Sequence, residues 1–236
     1  MLTRIKNSIP NSITSLNLIS GVLACIFAFH YAEPIGCLSG YQWAFVCIGA
    51  AAVFDFCDGA SARLLHAYSD LGKELDSLAD LVSFGLAPAL LVFNTVVEIT
   101  AEPLPLWAFA AIFIPVMGAL RLARFNIDTR QTTSFIGLPI PANAIFWIGF
   151  VAWLNDYNAT LQPWMIAVIV VIVSLLMVCD LGMFSLKFKN FGLRENAARY
   201  FVMAAAVVLV CVFGLAGLMA TIMLYVLLSA LIAVLR

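Results

Sequence analysis

Residues 54–85 read FDFCDGASARLLHAYSDLGKELDSLADLVSFG and carry Asp55, Asp58, Asp70, Glu74, Asp76 and Asp80. These are 6 of the 13 acidic residues in a chain that is 64% hydrophobic and 11% charged. Apolar sequence presses in from both sides: AFVCIGAAAVF runs into Asp55, and LVSFGLAPALLVF follows Asp80. A solvated loop accounts for Asp70 and Glu74. It does not account for acids embedded in apolar segments, where an unpaired charge is expensive.

The rest of the chain explains the setting. Its 236 residues have a mean hydropathy of +1.06. A soluble domain of this size cannot bury so much apolar surface, so the bilayer is the expected solvent. The net charge of −1 argues against nucleic acid as a partner. Cys25, Cys37, Cys47, Cys57, Cys179 and Cys211 form no CxxC pair and read as small apolar filler. The start, with Arg4 and Lys6 before a long apolar run, reads as a retained first span rather than a cleaved leader.

Punctuating residues divide the chain into about eight apolar segments of near-spanning length: 10–32, 40–67, 72–97, 105–128, 138–154, 162–181, 196–213 and 215–236. Pro34, Pro103, Pro105, Pro139, Pro141 and Pro163 fall at or near the breaks. The predicted class is an all-α polytopic membrane protein, a bundle of about eight transmembrane helices forming a single membrane domain over residues 1–236. With eight spans, Arg4, Lys6, Arg63, Lys73, Arg121, Arg124, Arg130, Lys187, Lys189, Arg194, Arg199 and Arg236 share one side, while Glu33, Glu98, Glu102 and Asp156 occupy the other. The positive-inside rule then places both termini and the acid-rich window at the cytoplasmic face of the cell membrane.

Within the window, Asp55 and Asp58 are three residues apart and Asp76 and Asp80 four apart, so each pair shares a helix face. If two helices joined near HAYSD bring those faces together, four carboxylates converge. A hard divalent cation relieves their repulsion, and carboxylate oxygens suit Mg²⁺, Mn²⁺ or Ca²⁺. Two such ions bridged by shared carboxylates suit phosphoryl transfer. The residues between fit a phosphate ligand: Gly59 and Gly72 permit close backbone approach, Ala62 keeps the face thin, and Arg63 offers a forked cation. A cation or proton transporter is the rival from another class. It gives no role to Gly59, Ala62 and Arg63 at these spacings, and no inverted repeat is visible.

The pattern Asp55-x-x-Asp58-Gly59-x-x-Ala62-Arg63, then Gly72, Asp76 and Asp80, resembles the signature of the CDP-alcohol phosphotransferases, and no position departs from it. The resemblance implies that fold, with Asp55, Asp58 and Asp76 as metal ligands. It implies Asp80 as a further ligand or as the base that takes the acceptor's proton. It places Asp58, Gly59, Ala62, Arg63 and Gly72 at the CDP site, joined by Asn11 and Thr14 from IPNSITSLN. An N-cap role explains Asn11 nearly as well.

GKELDSLADLVSFGLAPALL, ALRLARFN and FIGLPIPANA are similar to the integral-membrane branch whose acceptor is L-serine, the phosphatidylserine synthases. This similarity spans about residues 5–150, taken as the catalytic part, with 151–236 as additional spans. It implies CDP-diacylglycerol and L-serine as substrates, membrane lipid as surroundings and a homodimer as assembly. Serine needs a grip for its carboxylate. Arg121 or Arg124 is expected to supply it, with Asn126 nearby and Asn143 facing inward; topology determination and helix punctuation are the plainer alternatives. Lys187 and Lys189 are expected either to attract the anionic donor or simply to form a basic loop. Glycerol 3-phosphate or an inositol phosphate remains open as the acceptor.

Overall fold

The computed structural model describes residues 2–127, 135–184, 192 and 196–234. Arg130, Lys187, Lys189, Arg194 and Arg236 lie outside the described residues. The chain opens with α1 (Leu2–Phe29), followed by a two-residue hairpin, β1 (Pro34–Ile35) and β2 (Leu38–Ser39), that turns at Gly36 with φ +65°. Next come α2 (Gly40–Leu65), α3 (Asp70–Asp80), a π-helical segment (Leu81–Leu86) and α4 (Ala87–Thr100). A 3₁₀ turn (Leu106–Ile112) leads into α5 (Phe113–Ile127), and β3 (Phe135–Ile136) precedes α6 (Ile140–Asp156). The chain continues through α7 (Pro163–Val178), β4 (Gly182–Met183), α8 (Ala197–Phe213) and α9 (Ala216–Val234).

Each expected apolar segment corresponds to a helical one, so the all-α class holds, while the helices divide by length. Among the described residues, five stretches have the length and apolarity to cross a bilayer: Ser8–Phe29, Gly40–Leu65, Asp70–Thr100, Leu106–Ile127 and Ala216–Val234. The remaining helices α6, α7 and α8 have 17, 16 and 17 residues. At 1.5 Å per residue they reach about 24–26 Å, short of a hydrocarbon core of about 30 Å. The first helix also begins earlier than expected and runs through Pro10. A proline inside a helix removes one backbone N–H, and the Thr14 hydroxyl donates to the Pro10 carbonyl at 3.0 Å.

The break between α2 and α3 falls where the sequence reading puts it. His66 takes the left-handed conformation with φ +50°, and the Ala67 N–H closes back on the Ala62 carbonyl at 3.0 Å. Ser69 then caps α3, its Oγ accepting from the Gly72 N–H at 3.0 Å.

Helix α1 is the central strut. It packs along α2 and also touches α3, the π-helical segment and α4. Gly21 makes one of these crossings possible: a Cβ there would lie 2.8 Å from Ser83 Cα and would overlap Ser83 Oγ. In lipid, where helices gain little from excluding water, such small residues let backbones approach closely. At the end of α1, the buried Tyr31 hydroxyl lies 3.1 Å from Thr95 Oγ1 of α4 and accepts from Asn155 Nδ2 of α6 at 2.8 Å. The C-terminal helices form a second group, with α9 against α6 and α8. An apolar cavity of about 440 Å³ opens between α6, α7 and α9, walled by side chains including Phe150, Trp153, Leu176, Met219 and Val226. Two short bridges stitch distant connections together: Phe135 pairs with Met183 and Ile136 with Gly182, and the Leu138 N–H donates to the Leu176 carbonyl at 2.8 Å.

Gly21→Val is expected to destabilise the protein by about 1–3 kcal/mol through overpacking. Thermal unfolding in detergent measures this; an unshifted melt would contradict the close crossing at Ser83.

Candidate active site

The last turns of α2 present Asp55, Asp58, Gly59, Ala62 and Arg63, and α3 presents Gly72, Asp76 and Asp80. Because α1 lies across both, the two faces meet. One carboxylate oxygen each from Asp55, Asp76 and Asp80 lies within 4.8 Å of the others. Asp58 is outside this triad but beside it, facing the adjoining cavity with Asp76. Asp58 and Asp80 are 6% and 8% exposed.

Two ionised carboxylates at such a separation repel by roughly 3 kcal/mol at an effective dielectric of about 20. Among the described residues, no Lys or Arg forms an ion pair with Asp58, Asp76 or Asp80. Asp58 Oδ2 and Asp76 Oδ1 are buried without a hydrogen-bond donor. Acceptor-only oxygens crowded together and short of positive charge are a donor set that fits a hard divalent cation. Asp55, Asp76 and Asp80 could hold one.

A cavity of about 240 Å³ adjoins the acids. Every residue expected at the CDP site lines it: Asn11, Thr14, Asp58, Gly59, Ala62, Arg63 and Gly72. Tyr68, Ser69 and Lys73 also contribute and were missed, because they sit in or near the α2–α3 turn rather than on the spaced signature. A Cβ on Gly59 would meet nothing closer than Arg63 Nη1 at 3.7 Å, so the glycine keeps a path open beneath the guanidinium. A Cβ on Gly72 would come 3.0 Å from both Asn11 Oδ1 and Ser69 Oγ. Asp70 and Glu74 are exposed on α3, as expected of solvated groups, and His66 is exposed in the turn before it.

The residues expected around the acceptor separate. Arg121 is buried, stacks its guanidinium over Phe125 at 5.2 Å from the ring centroid, and is close enough to Asp80 to interact electrostatically. Arg124 is exposed and donates to the Val178 carbonyl at 2.8 Å, finishing the C-terminal end of α7. Asn126 ties α5 to α3: its Nδ2 donates to Ser77 Oγ at 2.9 Å and its carbonyl accepts from Lys73 Nζ at 2.8 Å. Asn143 is fully buried in α6, where its Oδ1 accepts from Trp147 Nε1 at 3.0 Å. None of the four lines the cavity beside Arg63.

One polar residue at the acids escaped the sequence reading. Asn17, fully buried on α1, donates from Nδ2 to Asp80 Oδ1 at 3.2 Å. The available signal was its place one turn beyond Thr14 on an otherwise apolar span.

A helical membrane protein that converges carboxylates beside a glycine- and arginine-lined cavity, at one end of its bundle, has the working parts of a phosphotransferase acting on lipids. The chain belongs to the CDP-alcohol phosphatidyltransferase family, whose model matches residues 7–178, from α1 through α7. It is therefore an integral membrane transferase. Three relatives each carry the name CDP-diacylglycerol–serine O-phosphatidyltransferase. The one from Methanocaldococcus jannaschii is 36% identical over 174 residues, covering 74% of this chain and 72% of the relative. The one from Mycobacterium leprae is 34% identical over 184 residues, 74% of this chain and 57% of the relative. The one from Bacillus subtilis is 38% identical over 136 residues, 57% of this chain and 70% of the relative.

Mn²⁺ is expected to bind the wild-type protein, and Asp76→Asn to weaken that binding by about 10- to 100-fold. Titration followed by the electron paramagnetic resonance of free Mn²⁺ checks this. Equal affinities would remove the ion from between α2 and α3.

Proposed function

We propose that this protein transfers the phosphatidyl group of CDP-diacylglycerol to the hydroxyl of L-serine and releases CMP. The observation that carries the reading is the meeting of Asp55, Asp76 and Asp80 beside the cavity of Gly59, Ala62, Arg63 and Gly72. The name shared by the relatives supports serine as the acceptor. The donor's acyl chains lie among the apolar helices and its cytidine diphosphate head in the cavity.

Divalent cations, two in this reading and either Mg²⁺ or Mn²⁺, bound by Asp55, Asp58, Asp76 and Asp80, supply positive charge to the pyrophosphate and to the CMP that departs. Arg63, at the rim, grips phosphate oxygens in its fork. Gly59 and Gly72 leave room for the pyrophosphate to approach the backbone, and Asn11 and Thr14 border the nucleotide from α1. Asp80 takes the proton of the serine hydroxyl as the serine oxygen bonds to phosphorus. The bond from that phosphorus to the bridging oxygen breaks, and CMP leaves with the oxygen. Arg121 is the stronger choice for holding the serine carboxylate, because it is buried near Asp80 whereas Arg124 is engaged at Val178. Desolvation strengthens such a charge-assisted contact.

The same reading puts the acids at the cytoplasmic face of the cell membrane. Arg63, Lys73, Arg121 and Arg124 gather at that end of the bundle, while Glu33, Glu98, Glu102 and Asp156 follow the opposite helix ends. The whole chain acts as a single membrane domain with catalysis in residues 5–150, and it assembles as a homodimer, as the family resemblance implies.

Purified protein incubated with CDP-diacylglycerol and Mn²⁺ or Mg²⁺ is expected to release CMP when L-serine is added. Release with glycerol 3-phosphate or an inositol phosphate and none with serine would overturn the acceptor. Asp80→Asn is expected to lower kcat by about 10²- to 10⁴-fold while the protein still inserts. Near-normal turnover would remove Asp80 as the proton acceptor. Arg121→Lys is expected to raise the serine KM by about 10-fold, the worth of one charge-assisted hydrogen bond, and to leave the donor KM nearly unchanged. A serine KM that responds instead to Arg124→Ala would transfer the role.

A further inference from the structure

We propose that Asn17 is a positioning residue for the transfer: its side-chain amide fixes the Asp80 carboxylate so that one oxygen is left to receive the acceptor's proton. The proposal rests on the reading of Asp80 given above. Asn17 and Asp80 are 63 residues apart in sequence, and the amide Nδ2 reaches Asp80 Oδ1 at 3.2 Å. Asn17 is 0% exposed and Asp80 8% exposed. The Asn17 backbone is itself held, since Ser83 Oγ, also fully buried, donates to the Asn17 carbonyl at 3.1 Å. Gly21, one turn further along α1, provides the space for that approach. The π-helical segment begins at Leu81, directly after Asp80, and brings Ser83 to face α1. Extra-residue turns of this kind recur where a helix re-aims its side chains.

A purely structural contact is a poor account of these facts. An amide inside an apolar span costs free energy unless both its ends are satisfied. Asn17 Oδ1 has no partner among the described residues, so the side chain is only half satisfied. An apolar residue would pack this site at lower cost, and what it would lose is the donor to Asp80. That donor occupies Oδ1, fixes the rotation of the carboxylate and leaves Oδ2 to the acceptor hydroxyl. A group that orients the partner of a bound ion or a reacting carboxylate is typically worth about 10- to 100-fold in rate.

Asn17→Leu removes the donor while keeping the volume close, and Asn17→Ala serves if the larger side chain prevents folding. Thermal melting in detergent establishes which variant is folded. With whichever acceptor drives CMP release in the wild type, the folded variant is expected to show kcat lowered by about 10- to 100-fold. The donor KM should stay within about twofold of wild type, because Asn17 lies outside the cavity that takes the donor's head. In an Asp80→Asn background the same substitution should change the residual rate by less than about twofold, because two residues acting through one step are not additive. An unchanged kcat overturns the proposal. So does an equal loss in the Asp80→Asn background, or a donor KM that rises as far as kcat falls. The acceptor panel on wild-type protein judges the serine reading separately, so the two cannot fail for the same reason unnoticed.

Discussion

Carboxylates do not gather in an apolar bundle unless something holds them there. Asp55, Asp76 and Asp80 present oxygens within 4.8 Å of one another, and burial weakens the screening that water would give. The fold opposes this repulsion with covalent and packing constraints. The four-residue turn between α2 and α3 leaves the two helices little freedom, and Ser69 fixes where the second one starts. Helix α1 then closes over both, with Asn17 on Asp80 and Thr14 beside Asp58 at the cavity wall. The strain is therefore distributed over many apolar contacts distant from the acids. What remains is a deficit of positive charge in one small region, which a divalent cation would answer.

Much of this arrangement was legible because it obeys simple periodicities. Spacings of three and four put Asp55 with Asp58 and Asp76 with Asp80, and HAYSD announced a turn between them. All seven residues expected at the CDP site line the cavity beside the acids, since every one lies on those faces or on the N-terminal half of α1. The acceptor side was less legible. Arg121 and Arg124 are equivalent in sequence, three apart near one helix end. Only packing separates them: one is buried over Phe125, and the other spends a donor on the exposed end of α7. Asn143 looked inward and is inward, but its Oδ1 is engaged by Trp147 four residues along the same helix.

The number of spans was harder to read for a different reason. Apolarity marks a segment without fixing how many of its residues become helical. Segment 138–154 shifts by two residues to become α6 without changing length, while 162–181 gives up its ends to leave the 16 residues of α7. Beyond those segments, residues 135–136 pair with 182–183 and tie the start of α6 to the end of α7. No local signal announces it, because the two partners are far apart in the chain and each is only two residues long. Asn17 escaped for a similar reason: an asparagine in an apolar run becomes meaningful only when Asp80 arrives from the third helix.

The polar knot of Tyr31, Thr95 and Asn155 sits at the opposite end of α1 from the acids. From Asn11 to Tyr31 is roughly 30 Å at 1.5 Å per residue. The first helix is thus tied by polar contacts at two levels, by Asn17 and Ser83 midway along it and by the Tyr31 hydroxyl just past its end. A helix moored twice holds the angle of its neighbours as well as their spacing, so the acids inherit part of their alignment from side chains far along the same rod.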